Sequence, residues 1–173
     1  GHKPSVGLVS AAALDAQLAQ ATARQAALDV ARYEQQGCYS PHTFYVARGG
    51  RVSPQEFAQA LAGQLAALQH KFVRRPLTLE EAAGVAAWRQ GQELQGYASA
   101  AVQLLGDAEA PWAVAYAEQA GPLQPCALNR TVQVQAVDAL RHGWPLAIDG
   151  APLLQPVETA FGEISAESML LSA

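Results

Sequence analysis

Thr43-Phe44-Tyr45-Val46-Ala47-Arg48-Gly49-Gly50-Arg51-Val52-Ser53-Pro54-Gln55-Glu56 is the stretch that decides the fold class. Its first four residues are β-branched or aromatic, which suits a pleated, half-buried surface, and the glycine pair ends the strand in a turn. Ser53 then stands as an N-cap, Pro54 occupies the first helical position, and Glu56 follows the cap by three residues. That combination predicts a helix running to about His70. A strand feeding a helix through a short turn is half of a parallel crossover, because parallel neighbours need connections of helical length.

The same alternation continues outward. Val6 to Ser10 is a short apolar run that reads as a buried strand. From Ala12 to Glu34 the chain is rich in Ala, Leu, Gln and Arg, with neither Gly nor Pro, which predicts one long helix that stops at Gly37. Downstream, Thr78-Leu79-Glu80-Glu81 repeats the capping box and opens a helix through about Glu93, extendable to Leu105 across Gly91 and Gly96. Trp112 to Tyr116 and Thr131 to Val137 read as strands, with Leu146-Ala147-Ile148 a weaker third. A short helix is expected at Leu153 to Ala160 and a strand at Phe161 to Ile164. Strands separated by helices predict an α/β fold, a three-layer αβα sandwich with a mostly parallel sheet.

A chain of 173 residues corresponds to one domain at about 150 residues each. Half of it is apolar and 15% is charged, so it can bury a core and does not have a disordered composition. Its 11 basic and 15 acidic residues leave a net charge of −4. The longest basic run is Arg74-Arg75, which excludes a phosphate-neutralising nucleic-acid surface. Two cysteines, Cys38 and Cys126, are too few for a disulfide framework or a four-thiolate zinc site and point to a reducing, cytoplasmic setting. Every apolar run is broken well short of the roughly 20 residues that span a bilayer. The opening Gly1-His2-Lys3-Pro4 lacks a Met and a secretory pattern, so residues 1–173 are expected to be a single domain cut from a longer chain, with Gly1-His2 either native or a tag remnant.

Chemistry concentrates in Gln35-Gln36-Gly37-Cys38-Tyr39-Ser40-Pro41-His42, a polar loop between the long helix and the strand. Cys38 is a candidate nucleophile there, since a loop on a rigid scaffold can expose a thiol and Gly37 lets a ligand approach the backbone. The alternative is a small buried residue, as lone cysteines commonly are. His42 is a candidate base or thiolate partner, or else a loop residue bonded to backbone. Cys126, with no neighbouring base, reads as structural. His70 and His142 stand at element ends without metal-ligand spacing. Lys71, Arg74 and Arg75 suit a phosphate but equally a solvated loop. No Gly-x-Gly-x-x-Gly turn follows a strand, so a complete redox enzyme is not expected from these residues.

The loop 35–42, preceded by Ala27-Leu28-Asp29-Val30-Ala31-Arg32-Tyr33, resembles the catalytic-cysteine segment of the LuxC-type acyl-CoA reductases, a family of the aldehyde dehydrogenase superfamily. Gly1 to Val6 and Leu128-Asn129-Arg130-Thr131-Val132 are similar to shorter segments of that family. The resemblance implies an aldehyde dehydrogenase catalytic-domain fold in which Cys38 attacks an acyl-CoA or acyl-carrier thioester. It also implies reduction of the acyl-cysteine to an aldehyde by NADPH. The nucleotide-binding domain and one oxyanion donor would lie upstream, the amide of Cys38 would be the local donor, and the parent would be a homo-oligomer. Cys38 is expected at a helix end facing the absent domain. An ordinary aldehyde-oxidising dehydrogenase would carry a general-base Glu shortly before Gly1. A third reading, from another class, is an oligomerisation or interaction module with an inert Cys38.

Overall fold

In a computed structural model the description covers residues 5–37, 40–138 and 140, and the backbone of strands at 147–148, 151–152, 154–155 and 166–171. The centre is a parallel array of four strands. β1 (Ser5–Val9) pairs with β2 (Pro41–Ala47), β2 with β5 (Thr131–Val137), and β5 with β4 (Ala113–Ala117). β3 (Val102–Leu105) adds antiparallel to β4 at one edge. At the other edge β9 (Ala166–Leu171) adds antiparallel to β1 and is followed by β8 (Leu154–Gln155), giving the order β3-β4-β5-β2-β1-β9-β8. β6 (Ala147–Ile148) and β7 (Ala151–Pro152) form a separate two-stranded pair.

Alternation along the strands sorts side chains between two faces. Phe44, Val46, Val114, Val132 and Val134 point to one face. They meet α1 (Ala19–Ala31) and α2 (Pro54–Leu68) there. α1 presents Ala23, Ala26, Ala27 and Val30, whose small side chains let it lie close against α2, and α2 presents Phe57, Leu61 and Leu65. Phe57 meets Phe44 edge-on at 6.4 Å. On the other face Val6, Leu8, Tyr45, Ala47 and Val137 form a smaller core with Leu123 and Leu140 against it. α3 (Leu79–Ala98) lies on that face at the β3 edge, where Gln92 and Gln95 share a cavity with Ala115, Gln133 and Gln135. Helices on both faces of the parallel core make the expected three-layer α/β arrangement.

Both capping boxes form as read: Ser53 with Glu56 and Thr78 with Glu81 each exchange both hydrogen bonds. Gly91 and Gly96 lie inside α3, which ends at Ala98.

The single helix expected over 12–34 is broken. A short 3₁₀ turn, Ala11–Leu14, is capped by Ser10, and Asp15 accepts from the amide of Gln17, so α1 begins only at Ala19. It ends at Ala31, because Tyr33, Glu34 and Gln35 are left-handed. Extension of the third helix to Leu105 is also corrected: Val102–Leu105 pairs as β3 with β4, a long-range contact that local propensity does not report. The helix expected at Leu153 to Ala160 contains strand β8 at Leu154–Gln155, and the remainder of that range lies outside the described residues, as do His142, Trp144 and the strand expected at Phe161 to Ile164.

Candidate active site at the amino ends of the parallel strands

Cys38 and Tyr39 lie outside the described residues, but the segments flanking them converge at the amino-terminal ends of β2 and β5. After α1 the chain turns sharply. Tyr33, Glu34 and Gln35 have φ of 55°, 53° and 60°. Directly opposite, Leu128, Asn129 and Arg130, which lead into β5, have φ of 59°, 52° and 71°. A left-handed non-glycine residue costs on the order of 1–2 kcal/mol, so two such triplets persist only where the surroundings dictate them.

The surroundings here are polar and buried. The amide of Asn129 donates to the carbonyl of Glu34 at 3.1 Å, tying one triplet to the other. Arg130, 1% exposed, donates to both carboxylate oxygens of Glu34 at 2.8 and 2.7 Å, and to Gln69 Oε1 and the Phe72 carbonyl at 2.7 Å each. A guanidinium removed from water needs such a full set of acceptors. Gln35, 2% exposed, donates through Nε2 to the carbonyls of Pro41 at 3.1 Å and Thr131 at 2.9 Å, and its Oε1 accepts from the amide of Arg130 at 2.7 Å. On the far side of the loop, Ser5 Oγ donates to the Ser40 carbonyl and the Ser40 amide donates to the Gly37 carbonyl.

His42 is buried, and its Nδ1 accepts from the amide of Cys126 at 3.4 Å. The ring holds the segment 118–130, which connects β4 to β5 across the second face without a helix. A base acting through Nδ1 would have to release that bond. Cys126 is buried as expected, and desolvation pushes its thiol up to about 11, which keeps it unreactive. Asn129 Oδ1 and Thr43 Oγ1, both buried, have no hydrogen-bond partner among the described residues.

The basic cluster is divided. Arg75 is committed to Glu81 and Lys71 sits over the Phe72 ring, while Arg74 is half-buried beside Glu34, Arg130 and Arg89. Burial lowers the Arg74 guanidinium below its usual value. His70 is exposed just past α2. Among the described residues no group of His, Cys, Asp or Glu is arranged to hold a metal ion, and no helix is long and apolar enough to cross a membrane.

Two described turns lead from a parallel strand toward a helix. The one after β1 has no glycine. In the one after β2, a Cβ on Gly50 would lie 2.6 Å from Leu14 Cβ and 2.8 Å from the Ala11 carbonyl, so that glycine makes room for the chain itself. A cavity of about 230 Å³ beneath α3, lined by glutamines including Gln92, Gln133 and Gln135, holds none of the candidate residues.

The acyl-CoA reductase (LuxC) family model matches residues 1–157. The chain belongs to this family. A search of curated proteins finds no match. The family match spans the whole parallel core, the cysteine loop and the entry to β5. Sequence reasoning singled out the loop 35–42 and the Asn129-Arg130-Thr131 segment but assigned no role to Glu34, Gln35 or Arg130. The available signal was a lone arginine at the mouth of an otherwise uncharged strand, a charge that demands a buried partner.

Proposed function

We propose that the chain is the cysteine-bearing domain of an acyl-CoA reductase in which Cys38 is the covalent nucleophile. Family membership over residues 1–157 carries this reading. The thiolate of Cys38 attacks the carbonyl carbon of an acyl-CoA or acyl-carrier thioester, and the carrier thiolate leaves as the acyl-cysteine thioester forms. Backbone amides of the loop, that of Cys38 first, are the local donors to the oxyanion that develops. NADPH, when bound, supplies the hydride that takes the acyl group to an aldehyde. The step proposed for this chain's own residues is acyl transfer. Arg74, which like Lys71 forms no salt bridge among the described residues, suits a carrier phosphate.

Intact mass analysis after incubation with acyl-CoA tests the reading. The expected result is an increase by one acyl group in the native protein and none in Cys38→Ala. An acyl adduct of equal yield in Cys38→Ala would overturn it.

A further inference from the structure

We propose that the cavity beneath α3 is a binding site for an adenine-type base, read by the carboxamides of Gln92 and Gln133. The proposal goes beyond the acyl-transfer reading and uses none of its residues. The strands make the space. On the second face of the sheet Ala115 and Ala117 of β4 stand in register with Gln133 and Gln135 of β5, and Ala117 stands opposite Val102 of β3 on its other side. A row of methyl groups between two rows of longer side chains leaves a trough. α3 roofs it from the β3 edge with Gln92, and the segment after β4 closes the opposite side at Gly121. The cavity measures about 230 Å³. That is below the roughly 300–1,000 Å³ of a pocket for a drug-sized ligand, so it takes one small ring system and leaves a sugar and its phosphates outside.

The polar groups of the wall are fixed by their chemistry. The Gly121 amide can only donate, so the Gln135 atom it meets at 3.0 Å is Oε1, and Gln135 Nε2 turns to Gln133 Oε1 at 3.1 Å. Gln133 is left to present Nε2 as a donor. Gln92 makes no hydrogen bond to a described residue, and its Oε1 and Nε2 both keep accessible surface. Gln133 is 6% exposed and Gln92 7%. Buried polar groups are ordinarily paired, so two buried carboxamides on one cavity, with two donors and an acceptor that no described residue takes up, point to a ligand. No charged side chain lines the cavity among the described residues, so the part of the ligand held there is neutral. It must accept from both Nε2 groups and donate to Gln92 Oε1. A carboxamide matches, edge to edge, a planar group with a donor beside an acceptor, which is the N6 and N7 edge of adenine. The other ring nitrogens of that base are acceptors, as Gln133 Nε2 requires. A chain amide is trans, with N–H and C=O pointing in opposite directions, and lacks such an edge.

The test is a titration of the native protein followed by nuclear magnetic resonance through the side-chain amide signals of Gln92 and Gln133. Adenosine is expected to move both signals. Inosine, which sets an oxygen acceptor where adenine has its amino donor, is expected to bind at least about tenfold more weakly. Gln92→Leu removes the reading edge without breaking a hydrogen bond of the fold, so it should keep the unfolding temperature and lose about tenfold in adenosine affinity. A lower unfolding temperature with adenosine binding intact would assign Gln92 to structure and overturn the proposal. Should Gln92→Leu fail to fold, the comparison of adenosine with inosine decides alone. Coenzyme A and NADP⁺ are titrated beside adenosine, and whichever moves the two signals at the lower concentration is the molecule that brings the base. The proposal also falls if none of the three moves them, or if inosine moves them at the same concentration as adenosine. Binding is read here without acyl uptake, so failure of this site and failure of Cys38 as the nucleophile are told apart.

Discussion

Arg130 is the residue on which the interior is most exposed to failure. Its guanidinium is sealed beside β5 and neutralised by Glu34, which is itself mostly buried. Removing one member of such a pair strands the other charge in a poor solvent, at a typical cost of about 3–5 kcal/mol, whereas replacing both by apolar groups is far milder. Arg130→Met should therefore lose about 3 kcal/mol or more in urea unfolding, and the double variant Arg130→Met with Glu34→Leu should recover a large part of it. Equal losses in the single and double variants would show that the ion pair is incidental. Cys126 makes a second prediction at this scale. With its thiol near 11 in the folded state against an ordinary value of 9, the proton is held more tightly in the fold. The stability this provides is complete below about pH 9 and drains away as pH rises toward 11. Iodoacetamide at pH 8 should label Cys126 only after denaturation, while Cys38 labels in the native protein.

At the scale of elements, the clearest handle is the start of α3. Thr78 caps the helix, and Glu81 closes the box and also pairs with Arg75, whose guanidinium holds the Glu81 carboxyl down at about 2. The folded value lies below the ordinary 4.5, so the stabilisation is present above about pH 4.5 and is lost as pH falls toward 2. Thr78→Ala should cost about 1 kcal/mol, and Glu81→Gln should flatten the acid limb of the unfolding curve between those pH values; an unchanged acid limb would refute the assignment. Both helix starts that carry a capping box were legible in the sequence because the signal is local: cap, box and first turn sit within four residues. The interruption of the 12–34 helix was not. Alanine-rich sequence favours helix on either side of the break, and the break is set by a tertiary bond, Thr22 Oγ1 to the Ala13 carbonyl, together with the Ser10 and Asp15 caps. β3 was hidden for a similar reason, since four residues of mixed polarity become a strand only when β4 lies beside them. The turn between α1 and β2 was legible from its polar residues and Gly37. The bond between Gln35 and Arg130 was not, because they are 95 positions apart and meet through left-handed backbone that composition does not announce.

The whole molecule divides labour between the two ends of its parallel core. α1 and α2 bury the larger core on one face, and the buried polar network lies where the amino ends of β2 and β5 meet the segments flanking the loop 35–41 and the segment 118–130. Loops held at one edge of a rigid sheet can carry reactive groups without making the core pay attention to them, so stability and reactivity should be separable. Leu61, fully buried in α2 between the sheet and α1, tests the separation. Leu61→Ala removes buried methyl groups and leaves a cavity, which costs about 2–5 kcal/mol, and for a domain of this size each kcal/mol lowers the unfolding temperature by about 2–4 °C. Leu61 lies more than two turns from Gln69, where α2 meets Arg130, so the Arg130 network should survive. The expected outcome is a lower unfolding temperature with the pH profile of Cys38 alkylation unchanged at 25 °C. A Cys38 profile that moved by about one pH unit in Leu61→Ala would mean that the reactivity of the thiol senses the entire core, and the two would then not be separable.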